Sequence, residues 1–154
     1  MIVVRQPTTK EELEEYYDLR YRVLREPWGQ PRGSEKDEFE DQSIHVMAVD
    51  DSTGKVVAVG KLRKRSDEEG QISHMAVAPE YQRRGIGLMI TEELTAQARK
   101  LGLKRLVVTA RNNVIGFYEK AGYRITGEAY KLFGYIPLSW MELDLQEEIE
   151  TSRH

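Results

Sequence analysis

The stretch YQRRGIGLMI, residues 81–90, decides how this chain is read. It sets two glycines two apart, behind Arg83 and Arg84 and ahead of a run in which Ile86, Ile90, Leu94, Ala98 and Leu101 recur at helical spacing until Gly102. That periodicity predicts an amphipathic helix with a glycine stop. Upstream, Gln71 to Ala78 reads as a strand ended by Pro79. A strand, a loop holding Gly85 and Gly87, then a helix is a way to hold phosphate. The first helical turn has unpaired N–H groups and the positive end of the helix dipole, glycines let an oxygen approach them, and arginines add charge. The spacing excludes two relatives. A dinucleotide fingerprint needs a third glycine where Ile90 stands, and a P-loop needs a Gly-Lys-Ser/Thr ending that is missing here. Alone, the turn reads equally well as a strand-to-helix connection with exposed arginines.

Outward from this turn the pattern alternates. Ile2 to Arg5 is a first strand. Thr9 and Glu12 have the form of a capping box, and Leu13, Tyr16, Tyr17, Arg20, Val23 and Leu24 follow at helical spacing until Pro27. His45 to Val49 and Val56 to Leu62 form a hairpin about a turn-forming cluster at 50–54. Beyond the second helix come a strand at 105–110, a helix at 112–121 stopped by Gly122, a strand at 123–126, and an alternating strand at 141–145. The expectation is a single α/β domain over 1–154 with a core of about 2–145 and a frayed tail from 146.

Composition narrows the function. With 23 basic and 26 acidic residues the net charge is −3, so no global attraction to nucleic acid exists. There is no cysteine, which excludes disulfides, thiolate zinc sites and a cysteine nucleophile. No apolar run reaches the roughly 20 residues of a membrane span, and MIVVRQP is too short for a signal-peptide core. A cytoplasmic protein that binds neither membrane nor nucleic acid is expected.

QRRGIG, behind the lead-in MAVAPEY, resembles the Q/R-x-x-G-x-G/A signature of the GNAT superfamily of acyl-CoA-dependent N-acyltransferases, and ARNNVIGFYEKAGY at 110–123 is similar to that family's second motif. The resemblance implies a mixed, mostly antiparallel sheet of six to seven strands, splayed in the middle and flanked by about four helices. It implies acetyl-CoA as acyl donor, with no metal. The main-chain amides of Arg83, Arg84, Gly85, Gly87 and Leu88 would hold the pyrophosphate, and the backbone of Met75 and Val77 would pair with pantetheine like an added strand between 71–78 and 105–110. Asn113 would make a polar contact to the cofactor, and Gly116 would permit close approach of the acyl arm.

Without cysteine the chain cannot carry the acyl group on sulfur, so direct attack by a bound amine is the simplest route. The motif match puts Tyr118 forward as proton donor to the departing thiolate; its alternative is a core aromatic whose hydroxyl bonds backbone. For the base, the strand before the turn offers a Gln71/Ser73 water relay, Glu69 or His74; alternation sets Gln71, Ser73 and Met75 on one face and His74 on the other, unless a bulge near Val77 reverses it. Some relatives carry a histidine where this chain has Leu138 in Ile136-Pro137-Leu138. In REPWGQPRGSEKDEFEDQ at 25–42, a solvated acidic loop is favoured over a cation-attracting pocket walled by Trp28 and Phe39. KLRKR at 61–65 reads as the wet end of a hairpin. The acceptor is a primary amine on a small molecule, a peptide N-terminus or a protein lysine, and a second copy of the chain is a candidate partner. A catalytically silent acyl-CoA-binding module is the alternative, and a nucleic-acid-binding domain a distant third.

Overall fold

A computed structural model describes residues 1–146; the tail expected from 146 falls almost wholly outside the described residues. Seven strands, β1 (Ile2–Arg5), β2 (Ile44–Asp50), β3 (Lys55–Lys64), β4 (Glu69–Val77), β5 (Arg105–Arg111), β6 (Arg124–Leu132) and β7 (Ile136–Asp144), lie in the order β1-β2-β3-β4-β5-β7-β6. Three α-helices, α1 (Lys10–Leu24), α2 (Ile86–Lys100) and α3 (Ile115–Lys120), and four single 3-10 turns stand among the described residues where about four helices are expected. The ladders β1–β2, β2–β3, β5–β7 and β6–β7 are antiparallel. The parallel β4–β5 ladder covers Glu69–Gln71 against Arg105–Val107, and β4 runs on to Val77 beyond it.

The described residues group into two compact units. The first holds residues 1–63 and 72–97. Its α1 starts with half of the predicted capping box: Thr9 accepts from the Glu12 amide at 3.1 Å, while Glu12 reaches one residue further back than the box requires, to the Thr8 amide at 2.9 Å. The helix turns Tyr16 and Leu19 onto Met47, Val49, Val56, Val59, Ala76 and Ala78. Gly60 lies where no side chain fits: a Cβ there would come within 2.6 Å of both the Ile90 Cγ2 and the Met75 sulfur.

The second unit holds residues 64–71 and from 98 onward. Its strands bury Leu106, Val108, Met141 and Leu143. The β6–β7 hairpin is longer than the sequence pattern shows, because Phe133 (φ 55°) and Gly134 (φ 82°) make its turn in the left-handed region. A phenylalanine in that role gives none of the usual Asn-Gly or Asp-Gly signal. Leu138 is buried in β7, paired with Arg111.

Candidate functional site

The glycine turn folds as its residues dictate. Gly85 (φ 78°) takes the left-handed conformation glycine tolerates, and Arg83 (φ 65°) takes it at a cost. Helix α2 opens at Ile86, and its first internal amide bond is Met89 N–H to the Gly85 carbonyl at 3.2 Å. The amides of Ile86, Gly87 and Leu88 therefore precede the helical ladder and are the donors a phosphate would use. Arg83, Arg84 and Gly85 are exposed around them. Arg84 leans on the Tyr81 ring, 4.9 Å from its centroid, and the Tyr81 hydroxyl donates to Asp50 at 2.7 Å, so the loop is braced to the β2–β3 turn. Met75 and Val77 lie on β4 in this same unit. The Val77 carbonyl already accepts from Gln82 Nε2 at 3.2 Å.

Asn113, Gly116 and Tyr118 belong to the second unit. Asn113 is exposed on the 3-10 turn before α3, and Gly116 is exposed within α3, where an added Cβ would meet nothing within 4 Å among the described residues. Tyr118 is buried, edge-on to Phe117 and Tyr123. Its hydroxyl makes no hydrogen bond to another described residue. Burial pushes its phenol up to about 12.

His74 interrupts the regular backbone of β4. Its φ of 55° breaks the pleat at the histidine itself rather than near Val77, and its neighbours Ser73 and Met75 are partly buried along with it. Its Nδ1 sits 2.9 Å from the Ser73 hydroxyl, and its other ring nitrogen has no partner among the described residues. Burial, together with the charges of Arg20, Lys61 and Arg25, holds the imidazole well below its ordinary range against the pull of Glu40. Glu69 is differently committed: it pairs with Arg65 at 3.1 Å and Arg105 at 3.0 Å.

Two further expectations are corrected here. Lys61 is not at the wet end of a hairpin; it is fully buried, bonded to Asp37 at 2.7 Å and Glu40 at 3.0 Å. The acidic loop at 25–42 is only partly solvated: Asp37, Glu38 and Asp41 are exposed, but Arg20, also fully buried, donates to Glu40 at 2.9 Å and to the Glu35 carbonyl at 3.0 Å, Tyr17 donates to Glu40 at 3.0 Å, and Arg63 stacks 3.8 Å from the Phe39 centroid. Burial raises the Glu40 carboxyl, but the Asp37 amide, Arg20 and Lys61 outweigh it and hold the group far below the usual carboxylate range. His45 completes the hub, its Nδ1 2.8 Å from the Tyr16 hydroxyl and its Nε2 2.8 Å from the Glu40 carbonyl. A signal existed in the sequence: Arg20 falls four residues after Tyr16 on the apolar stripe of α1, where a charge needs a buried partner. Among the described residues no group of three or more His, Asp or Glu is placed to hold a metal ion, and no helix is long and apolar enough to cross a membrane.

Comparison with known proteins supplies the context. A family model described as "Acetyltransferase (GNAT) family" matches residues 11–123. The chain is 28% identical over 128 residues to the uncharacterized N-acetyltransferase YjcF of Bacillus subtilis, covering 83% of this chain and 89% of that protein. Its fold is similar to that of a GNAT family acetyltransferase from Elizabethkingia anophelis with acetyl-CoA bound (TM-score 0.76, 19% identity, 93% of this chain and 97% of that one). It is also similar to an aminoglycoside 6′-N-acetyltransferase complexed with coenzyme A (TM-score 0.78, 16% identity, 93% and 97%).

Proposed function

The chain belongs to the acetyltransferase (GNAT) family, and we propose that it transfers an acetyl group from acetyl-CoA to a primary amine by direct attack on the thioester. The observation that carries this reading is the opening of α2: left-handed Arg83 and Gly85 present the unbonded amides of Ile86, Gly87 and Leu88 beside two exposed arginines. That is an anion cradle of the kind a pyrophosphate needs. In this reading the main chain from Arg83 to Leu88 takes the pyrophosphate, Met75 and Val77 offer backbone groups to pantetheine, and Asn113 and Gly116 lie along the cofactor.

Tyr118 supplies the proton to the departing thiolate. A phenol near 12 would deliver a proton uphill to a thiolate of parent pKa about 8.5, but desolvation raises both anions together and narrows that gap. His74 takes the proton of the attacking nitrogen. When its Nδ1–H donates to Ser73, the other nitrogen carries the lone pair, and the depressed imidazole is neutral at pH 7. Glu69 fits this role less well because two arginines hold it.

Thiol release from acetyl-CoA across a panel of primary amines tests the proposal, with thermal shift by acetyl-CoA run in parallel. Amine-dependent release together with a raised melting temperature is the expected result. A raised melting temperature with no release from any amine would make the chain an acyl-CoA-binding module instead.

A further inference from the structure

The two arginines of the glycine turn are not alike. Both are exposed, but the Arg83 side chain makes no hydrogen bond, ion pair or ring contact among the described residues, whereas the Arg84 guanidinium rests 4.9 Å from the centroid of Tyr81. That ring is fixed at both ends. Tyr81 closes the 3-10 turn Pro79–Tyr81 with an amide bond to the Ala78 carbonyl at 2.9 Å, and the Ala78 amide donates to the Val57 carbonyl of β3 at 2.8 Å. The ring packs, partly buried, against the core cluster of Tyr16 and Leu19. Its hydroxyl donates to Asp50 Oδ2 at 2.7 Å. Asp50 is in turn held in the β2–β3 turn: its Oδ1 takes the Ser52 amide at 3.1 Å and the Ser52 hydroxyl at 2.6 Å, and its carbonyl takes the Gly54 amide at 2.7 Å.

We propose that Tyr81 is a positioning residue for the cofactor, holding the Arg84 guanidinium beside the opening of α2 before the pyrophosphate arrives; this rests on the reading of that opening as the anion cradle. The chain of support runs from the β2–β3 turn through Asp50 and Tyr81 to Arg84, all within the first compact unit. Two physical effects act along it. A phenol that donates to a carboxylate gains electron density, and the more negative ring face attracts a cation more strongly. A long exposed side chain also samples many rotamers, and ordering it at the moment of binding lowers affinity by a factor of about 2 to 12. For Arg84 that ordering is already done in the free protein, while Arg83 has no such seat. Tyr81 touches no part of the cofactor in this account and acts only through Arg84.

The test is the dissociation constant of coenzyme A by calorimetry for Tyr81→Phe and Tyr81→Leu, each made in the wild-type chain and in Arg84→Gln, with thermal melts to check that every variant is folded. Phenylalanine removes the hydroxyl and keeps the ring; leucine removes both and keeps the apolar packing. The Kd is expected to rise about threefold for Tyr81→Phe and about tenfold for Tyr81→Leu. In the Arg84→Gln background neither change should weaken binding further, a readout that a merely structural tyrosine does not give. A rise below about twofold for Tyr81→Leu, or the same rise with and without Arg84, overturns the inference and leaves the cofactor reading standing. Should Tyr81→Leu fail to fold, Tyr81→Phe decides alone: a rise that disappears in Arg84→Gln supports the positioning role, and no rise, or one that persists, overturns it. Failure of the wild-type chain to bind coenzyme A removes the cradle reading and this inference with it.

Discussion

Replacing Glu40 by Gln tests the buried hub that holds the 35–42 segment. The carboxylate faces Arg20 at 2.9 Å and Lys61 at 3.0 Å, both cations are fully buried, and the Glu40 side chain is itself 11% exposed. The amide keeps nearly the same shape but removes the charge, and its NH2 group must face either the Arg20 and Tyr17 donors or the Lys61 and Asp37 donors. Taking one partner from a buried ion pair costs about 3–5 kcal/mol, chiefly because the remaining charge is stranded. For a chain of this length that corresponds to a melting temperature lowered by roughly 6–20 °C at pH 7. The pH dependence gives a second, independent readout. The folded carboxyl is held below its unfolded value, so its contribution is fully present above about pH 4.3 and is lost as pH falls toward the folded value. The gap between wild type and Glu40→Gln should therefore be widest at neutral pH and narrow progressively below about pH 4.3. Thermal unfolding followed by circular dichroism from pH 7 to pH 3 measures both. A variant that melts within about 2 °C of wild type at pH 7, or a gap that does not change with pH, would refute the argument that this charge fastens the segment.

Tyr118→Phe should keep coenzyme A affinity by calorimetry while turnover drops by about 10²-fold or more and the alkaline limb of the pH profile shifts; unchanged turnover would remove the tyrosine from the chemistry. Gly85→Val places a β-branched residue at φ 78° in the middle of the anion cradle. It should abolish acetyl-CoA binding while far-UV circular dichroism stays native, and an intact affinity contradicts the phosphate-loop reading. Gly60→Ala forces a methyl to within 2.6 Å of Ile90 and Met75, at an expected cost of about 1–3 kcal/mol in chemical denaturation. Adding Ile90→Ala should recover stability relative to the sum of the two single changes; strict additivity would show that the close approach relaxes elsewhere.

Most elements were legible because each carries either an apolar face at a fixed period or a continuous apolar run bounded by turn residues. The α1 stripe, the apolar runs of the β2–β3 hairpin and the Ile86 to Leu101 run each match what forms, and the caps at Thr9 and Gly102 mark the helix ends. What stayed illegible depends on residues acting against type. Phe133 turns a hairpin through left-handed backbone, and Pro137 sits inside β7 opposite Lys131, so the pattern shows strands of four and five residues where β6 and β7 each have nine. The hub was hidden for another reason. Arg20 stands on an apolar stripe, but Glu40 and Lys61 look like surface in local sequence, and only the fold brings the three together from separate elements. Local composition cannot report a charge whose partner is 20 or more residues away.

The same limit explains His74. Strand alternation is a statement about regular pleat, and a left-handed residue within a strand is a break that composition does not announce. Histidine tolerates that region better than most side chains, yet the conformation still costs of order 1 kcal/mol and persists only where the surroundings over-determine it. Here they do: Met75 is packed against Gly60, which has no room for even a methyl, and the Ser73 hydroxyl holds the imidazole one residue away. Arg83 carries a second left-handed cost at the other end of the same segment, where the chain turns into α2. Between these two strained residues lie Met75 and Val77, whose backbone the cofactor reading needs exposed rather than consumed by regular pairing. The strain at His74 and Arg83 thus falls at the two places where the proposed function sets a base and an anion cradle.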